Sequence, residues 1–512
     1  MYKSSSSIKR KLVANTVYLS INWTAVTILS FLFWFVIGKL MLPSEWGIIS
    51  TFSNLMILLS SFSILGISGA VSKLIPEYLA RKKISKVKTL INFSTKVIIC
   101  SSSLLAIIIL LFSRELKRTL NLPFYTIIIL SVAVISQSIY ALTSAIVRGF
   151  QNMKRIAITN TLGHFVKVFF SLILVILGFG YIGPLFGIVL ATSIPFILRL
   201  DYILLNIREN QNLDKKIMMD YAFPAFITGF LWIVFNYSQN IIITVLKNTT
   251  VTGLFSLAMI ATSPINIFPK IFSSALFPIS SQLSIDKNGR SKQKYLIESV
   301  FKYSLFFSLP IVIFLILFSK SVIIFFSRLE YLPAYSLFPI LSFASLIYGC
   351  SFVFYSTLYA IGKPKIQRNI VAVSTTTFLT FAIILTYLFS SIGMAVAYTI
   401  SGIVLAILSY VYVKKELKIS FPYRSISKLT VASIITFSFL YIMSRFTQNV
   451  ILDFLLIVIS GFLYLGVLIP IGFYNIEDIK ILYFLANRAP FLRKQLISIS
   501  NILSKIISKE KN

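Results

Sequence analysis

KVKTLINFSTK, residues 86–96, returns as KQKYLIESVFK, residues 292–302, with Lys86, Lys88, Leu90, Ile91 and Lys96 matched by Lys292, Lys294, Leu296, Ile297 and Lys302 at a displacement of 206 residues. Each copy passes from a charged loop into a hydrophobic run. The chain therefore reads as two related halves, each carrying a lysine some distance into a membrane-length segment. A cation repeated inside the membrane points to an anionic substrate path.

The surroundings of the repeat define the class. Hydrophobic residues make up 57% of the chain and charged residues 12%, with a mean hydropathy of +0.89, too little polar surface to solvate a globule of 512 residues. A helix crossing a bilayer core of about 30 Å takes roughly 20 apolar residues. The chain offers about fourteen such runs, the first beginning near Lys11 and the last near Val450, with short connections that leave no room for a soluble domain. Continuous apolar runs, as opposed to short alternating strands, exclude a porin-type barrel. The expected class is an all-α polytopic membrane protein. The polar, basic start from Met1 to Lys11 leads into an apolar run too long for a signal-peptide core, so it reads as the first span.

The net charge of +33 is distributed as a topology signal and not as a nucleic-acid surface. With a cytoplasmic N-terminus and alternating spans, most of the 48 Lys and Arg fall on inside segments, richest at Arg81-Lys82-Lys83, Lys414-Lys415 and Lys480–Lys511. This bias places both termini in the cytoplasm of a multi-pass protein of the plasma membrane, with anionic lipids as partners. The segment 476–512 reads as a basic amphipathic cytoplasmic tail. Cys100 and Cys350 are the only cysteines and lie in separate apolar runs, which offers no disulfide framework or metal-ligand spacing.

Further matches keep nearly the same displacement: Trp46-Gly47-Ile48 with Thr252-Gly253-Leu254, Ile139-Tyr140 with Ile347-Tyr348, and Ile182-Gly183 with Ile392-Gly393. The register fits two six-helix lobes, 1–210 and 211–420, two additional helices at 421–475, and the tail. An even number of spans per lobe makes them parallel repeats about an axis along the membrane normal. The strings Ala14-Asn15-Thr16, Leu42-Pro43-Ser44-Glu45-Trp46-Gly47, Leu65-Gly66-Ile67, Arg148-Gly149-Phe150-Gln151, Gly253-Leu254-Phe255-Ser256, Phe277-Pro278 and Ala360-Ile361-Gly362-Lys363-Pro364 resemble the polysaccharide-synthesis flippases of the multidrug/oligosaccharidyl-lipid/polysaccharide exporter superfamily. The resemblance covers residues 10 to about 475. It implies a V-shaped two-lobed transporter that flips a polyprenyl-phosphate- or pyrophosphate-linked oligosaccharide from the cytoplasmic to the outer leaflet by alternating access, for polysaccharide or glycoprotein glycan assembly.

Five lysines fall within spans, where a charge costs about 2.5 to 3.5 kcal/mol on insertion scales and so tends to face protein or water. Lys270 lies within about one turn of the middle of the run Val251–Leu283. With Ser263, Asn266 and Ser273 it forms a polar stripe at i, i+3, i+7 and i+10, which suits either a cavity lining or an interhelical hydrogen bond. Lys73 follows Gly66 and Gly69 and precedes Pro76, where another backbone can come close. Lys96 and Lys302 stand nearer the cytoplasmic ends of their spans, able to snorkel or to form an electropositive mouth that captures a phosphate. These four are the candidate substrate-binding cations. His164 and Lys167 share one face of the fifth span, a pair better suited to packing. Asn15 and Asn22 on the first helix, and Asn236, Gln239 and Asn240 on the seventh, are candidate polar cavity residues together with Asn266. Pro264, Pro269 and Pro278 break the ladder of the eighth helix and are candidate hinge positions.

The sequence places no carboxylate deep in a span: Glu77, Asp201, Asp220, Glu298 and Glu330 lie near ends. This argues against an exporter that binds cationic drugs and couples to ions through a buried acid. A peptidoglycan-precursor exporter of the same superfamily remains an alternative. A membrane glycosyltransferase would need a displayed carboxylate, and no Asp-x-Asp occurs; a channel would need a filter. The expected partners are the lipid-linked oligosaccharide, the anionic lipids and, as candidates, glycosyltransferases or a polymerase. No nucleic acid, cofactor or metal is expected, and no catalytic residue.

Overall fold

The computed structural model describes residues 5–204, 215–284, 289–446 and 449–474. The amphipathic tail expected at 476–512, and the lobe boundary at 210, lie outside the described residues. In chain order the α-helices are α1 (Ser5–Leu40), α2 (Pro43–Ile64), α3 (Ile67–Ala80), α4 (Ile84–Leu111), α5 (Ser113–Leu120), α6 (Phe124–Gly149), α7 (Met153–Leu174), α8 (Ile182–Ile197) and α9 (Asp201–Leu204). They continue as α10 (Lys215–Leu246), α11 (Thr249–Thr262), α12 (Ile267–Leu283), α13 (Gly289–Leu317), α14 (Ser319–Phe326), α15 (Phe338–Ala360), α16 (Pro364–Leu417), α17 (Tyr423–Ser444) and α18 (Val450–Val467).

Twelve spans among the described residues are long and apolar enough to cross a membrane, against the roughly fourteen expected. The difference has two physical sources. Helix α8 is apolar but only 16 residues long. Helix α16 runs for 54 residues through a non-helical break at Ser390 (φ 58°, ψ −138°). At that break Gly393 lies against the carbonyl of Leu385, eight residues earlier, so the chain folds back on itself. Gly180, 210 residues before Ser390, has the same backbone conformation (φ 53°, ψ −138°) in the turn between α7 and α8.

Two compact units emerge from packing. The first comprises Met1–Ala258, Phe326–Ala334 and Val371–Ser401; the second comprises Met259–Phe325, Tyr335–Ile370 and Gly402–Asn512. These units follow contacts, and the first gathers helices from both halves of the repeat.

Within the first unit, local chemistry sets the helix ends. Pro43 opens α2 at a position that needs no N–H donor, and the Glu45 carboxylate accepts the Leu42 N–H at 2.8 Å. The turn from α6 to α7 closes with Phe150 N–H to Ile146 O, Gln151 N–H to Arg148 O and Asn152 N–H to Val147 O, around a left-handed Gln151 (φ 57°). The second unit repeats this pattern between α15 and α16, with Ile361 to Thr357, Gly362 to Tyr359 and Lys363 to Leu358 around Gly362 (φ 75°).

Also inside the first unit, α2 and α11 meet at Gly47 and Gly253. A Cβ on Gly47 would overlap the Thr249 carbonyl, and a Cβ on Gly253 would overlap the Pro43 carbonyl. The two contacts are the same contact, since 47 and 253, and 43 and 249, are each separated by the 206 residues of the repeat. Hydroxyls extend the junction: Thr51 to Thr244 at 2.7 Å and Thr244 to Thr252 at 2.8 Å.

Candidate functional site

Helix α11 ends at Thr262, a 3-10 turn occupies Ser263–Asn266, and α12 resumes at Ile267. The cause is proline. Pro264 and Pro269 lack an N–H, which frees the carbonyls of Ile260 and Ile265. Each freed oxygen has a hydroxyl donor: Ser263 Oγ donates to Ile260 O at 2.8 Å, and Ser308 Oγ of α13 donates to Ile265 O at 2.9 Å. The break is therefore a satisfied structure held in part by a neighbouring helix. Pro278 lies inside the continuing helix α12.

The break also splits the polar stripe expected on this helix. Ser263 is exposed, Lys270 is half-buried, and Ser273 is fully buried, because a 3-10 turn advances the chain by a different angle per residue from an α-helix. Lys270 Nζ stands 6.0 Å from the Tyr348 ring centroid. Asn266 is buried, and its side-chain oxygen fits beside Gly349, 2.7 Å from where a Cβ on that glycine would sit. That oxygen has no hydrogen-bond partner among the described residues. Tyr348 and Gly349 of α15 thus read successive turns of the broken helix. Helices α11 and α12 carry no carboxylate at all.

The other repeated cation of the second unit has a different setting. Lys302 of α13 is buried, with its ammonium 4.4 Å from the Phe473 ring and 5.2 Å from the Tyr303 ring. An exposed mouth is not its environment. Its counterpart Lys96, on α4 of the first unit, is exposed.

Lys73 is exposed on α3 with Nζ 3.5 Å from the centroid of Tyr221 on α10. The close backbone approach expected beside it is present: Gly66 packs against the Ala222 carbonyl and Phe226, and Gly69 faces Ala225. Lys73 follows Gly66 by seven residues, two helical turns, which aims it along the same α10 face. A cation on an aromatic face gains about 0.5 to 2 kcal/mol, part of the expense of placing it in a span.

His164 and Lys167 face α1. His164 Nδ1 is 3.3 Å from Ser30 Oγ, and Lys167 Nζ is 3.7 Å from the Phe33 ring and 5.9 Å from Trp34. On the same α1, Asn15 and Asn22 are half-buried, and the Asn22 side-chain oxygen is enclosed with no partner among the described residues. The amides of α10 bond close to home. Asn236 Nδ2 donates to Trp232 O at 2.8 Å, Gln239 Nε2 to Phe235 O at 2.7 Å, and Asn240 Nδ2 approaches Ser256 Oγ at 3.5 Å. Gln239 and Asn240 are both buried; Gln239 bonds along its own helix, and Asn240 alone of the three reaches a second helix through these bonds, at Ser256 of α11.

Two charged residues escaped the sequence reading. Arg199, fully buried just beyond α8, donates from Nε to Thr159 Oγ1 at 2.8 Å, from Nη1 to Ser144 Oγ at 2.6 Å and from Nη2 to Asn160 Oδ1 at 2.6 Å. Tyr140 closes the network, its hydroxyl donating to the same Asn160 oxygen at 3.1 Å. A Ser136, Tyr140, Ser144 stripe at intervals of four on α6 was the available signal. Asp453, in the first turn of α18, is buried and accepts a hydrogen bond from Ser321 Oγ. It joins the carboxylates near span ends, yet it is enclosed. No cluster of three or more His, Cys, Asp or Glu able to hold a metal occurs among the described residues.

Comparisons with known proteins give this arrangement its relatives. The profile of the polysaccharide biosynthesis protein family matches residues 12–284, more than half of the chain. The uncharacterized membrane protein MJ1068 of Methanocaldococcus jannaschii is 24% identical over 471 residues, 87% of this chain and 90% of that protein. The probable low-salt glycan biosynthesis flippase Agl15 of Haloferax volcanii is 21% identical over 398 residues, 77% of this chain and 81% of that protein.

Among solved structures, the lipid II flippase MurJ in an inward closed conformation superposes with a TM-score of 0.71 at 20% identity, covering 88% of this chain and 98% of that one. An inward-facing multidrug resistance MATE transporter of the MOP superfamily gives 0.60 at 14% identity, covering 79% and 98%. These likenesses are of fold. The twelve apolar spans among the described residues make the chain a multi-pass membrane protein, and the profile match shows that it belongs to the polysaccharide biosynthesis protein family.

Proposed function

We propose that this protein is a transporter that flips an anionic lipid-linked oligosaccharide, its polyprenyl phosphate or pyrophosphate neutralised by intramembrane lysines, from the cytoplasmic to the outer leaflet by alternating access. The observation that carries the reading is Lys270: a half-buried ammonium on a helix pair without a carboxylate, one turn from a broken segment whose freed carbonyls are already satisfied. A cation kept in a span without an acid to pair with is suited to an anion that arrives and leaves. The name of Agl15, a glycan biosynthesis flippase, supports the same substrate class. Lys73 is the second candidate contact, with Lys96 and Lys302 after it.

The chain crosses fourteen times in this reading, α8 counting as a span and α16 as two, and most Lys and Arg then fall on the side of both termini. The repeat-defined lobes are 1–210 and 211–420, with 421–475 added.

The test is a headgroup-accessibility assay in liposomes with a fluorescent polyprenyl-phosphate-linked oligosaccharide. Wild type accelerates flipping, Lys270→Ala lowers the rate about tenfold or more, and Lys270→Arg retains most of it. A Lys270→Ala rate equal to wild type removes Lys270 from the mechanism. Absence of flipping by wild type across several glycans, with transport of a lipid-linked peptidoglycan precursor, replaces the substrate class.

A further inference from the structure

The turn between α7 and α8, and the fold-back inside α16, lie in the same unit and share their backbone break at Gly180 and Ser390. At these turns Ile176, Leu177 and Phe179 are 73, 65 and 53% exposed, and Tyr387, Leu388 and Phe389 are 68, 60 and 60% exposed. The repeat displacement of 210 residues places Tyr387 over Leu177 and Phe389 over Phe179.

Charge separates these two turns from their neighbours. No Asp, Glu, Lys or Arg occurs from residue 168 to 198 or from 369 to 413. The other turns that alternate to this side all carry charge: Lys39 and Glu45, Arg114 to Arg118, Lys247, Arg328 and Glu330, and Arg445. A turn entering water ordinarily exposes polar and charged groups, since its backbone has to be solvated.

Span length agrees with composition. From Arg155, near the start of α7, to Ile176 a helix rises about 32 Å, and from Arg368 to Tyr387 about 28 Å, against a hydrocarbon core of about 30 Å. With those arginines at one headgroup layer, each apolar tip reaches the opposite boundary between acyl chains and headgroups. The polar neighbours fit that depth. The Tyr181 ring stacks on Tyr125 at 6.0 Å, and Lys247 donates to the Tyr387 carbonyl at 3.0 Å. Tyrosines with apolar bodies and polar tips belong at this boundary.

We infer that these two turns are seated in the lipid of the leaflet opposite the basic helix ends, as a matched pair of membrane-inserted tips. Their occupant is lipid, because the exposed apolar surface continues into lipid-facing residues of the same helices, including Phe169, Phe170, Ile383 and Ile384, while the Lys247 ammonium beside Tyr387 is taken up by the carbonyl of that residue. The pairing spreads the contact over two symmetry-related points of one unit, which fixes that unit's depth in the bilayer.

The experiment uses the full chain with Cys100→Ala and Cys350→Ala, reconstituted in phosphatidylcholine vesicles. A single cysteine is introduced by Leu177→Cys, Phe389→Cys or, as the aqueous reference, Thr250→Cys, and labelled with bimane. Lipids brominated near the top of the acyl chain quench the labels at 177 and 389 by about half, while iodide quenches them several-fold less than the label at 250. Iodide quenching equal to that at 250, without a bromine effect, overturns the inference in favour of solvated turns. Quenching by neither agent also overturns it, and indicates burial against another protein copy. Each label site is exposed, so reading the two turns separately protects the result from a fault in either variant.

Discussion

Helices α4 and α13 carry the same lysine at the same place in the repeat, and the structure treats them differently. On α4, Lys96 is exposed, and Ile99, Cys100, Leu104 and Ile107 along the same stretch are exposed as well. On α13, Lys302 is buried, and Leu305, Phe306 and Leu309 pack against Leu429, Ala432, Tyr464 and Phe473. The additional helices α17 and α18, with the segment that follows, account for the contrast by covering α13. Repetition of sequence conserves backbone and residue type, while the environment of a side chain is set by what is packed over it.

The largest test of that contrast is Phe306→Ala. Phe306 stacks on Phe473 at 5.5 Å and meets Tyr464 at 5.9 Å. Its removal lowers stability by about 2 to 3 kcal/mol, whereas Cys100→Ala at the matching place on α4 changes it by less than about 0.5 kcal/mol. Thermal unfolding of the detergent-solubilised variants measures both, and equal losses would break the comparison.

An intermediate effect comes from the matched turns. Ser390 holds a backbone conformation that Gly180 adopts freely, so Ser390→Gly is expected to stabilise the chain by about 1 kcal/mol and Gly180→Ser to destabilise it by a similar amount. Midpoints of the same unfolding curves decide the sign.

The smallest effect is the lysine pair itself. Lys302→Met takes the ammonium off the Phe473 and Tyr303 rings while keeping an apolar chain of similar length, and lowers stability by about 0.5 kcal/mol, while Lys96→Met changes it by less. Flipping assays on the same variants sharpen the point. A loss of transport in stable Lys302→Met gives the buried lysine a part in the substrate path, and full transport assigns it to packing against Phe473.

Turn chemistry explains why the repeat was legible in the sequence. Pro43, Gly47, Gln151 and Gly362 act through their own backbones, and their spacing survives in the chain as written. The broken helix was legible for the same reason, since Pro264 and Pro269 remove donors whatever surrounds them. Three-dimensional partners were not legible. Arg199 follows an apolar run and reads as a loop residue, because Ser144, Thr159 and Asn160 sit on two other helices, some 40 to 55 residues away. Asp453 reads as a helix-end acid until Ser321 is brought to it from 132 residues away. Fourteen apolar runs correspond to twelve long spans because α8 is short and α16 carries two runs in one helix through the break at Ser390, neither of which hydropathy registers.

Gly47 and Gly253 leave a constraint of another kind. Each glycine admits the carbonyl that stands four residues before the other, so the junction of α2 and α11 consists of one contact made twice. Neither helix can slip along the other at one glycine without disturbing the contact at its twin. Sequence change at the junction is coupled in the same way: a methyl group at either position already forces the helices apart, so a second at the other adds far less than the first.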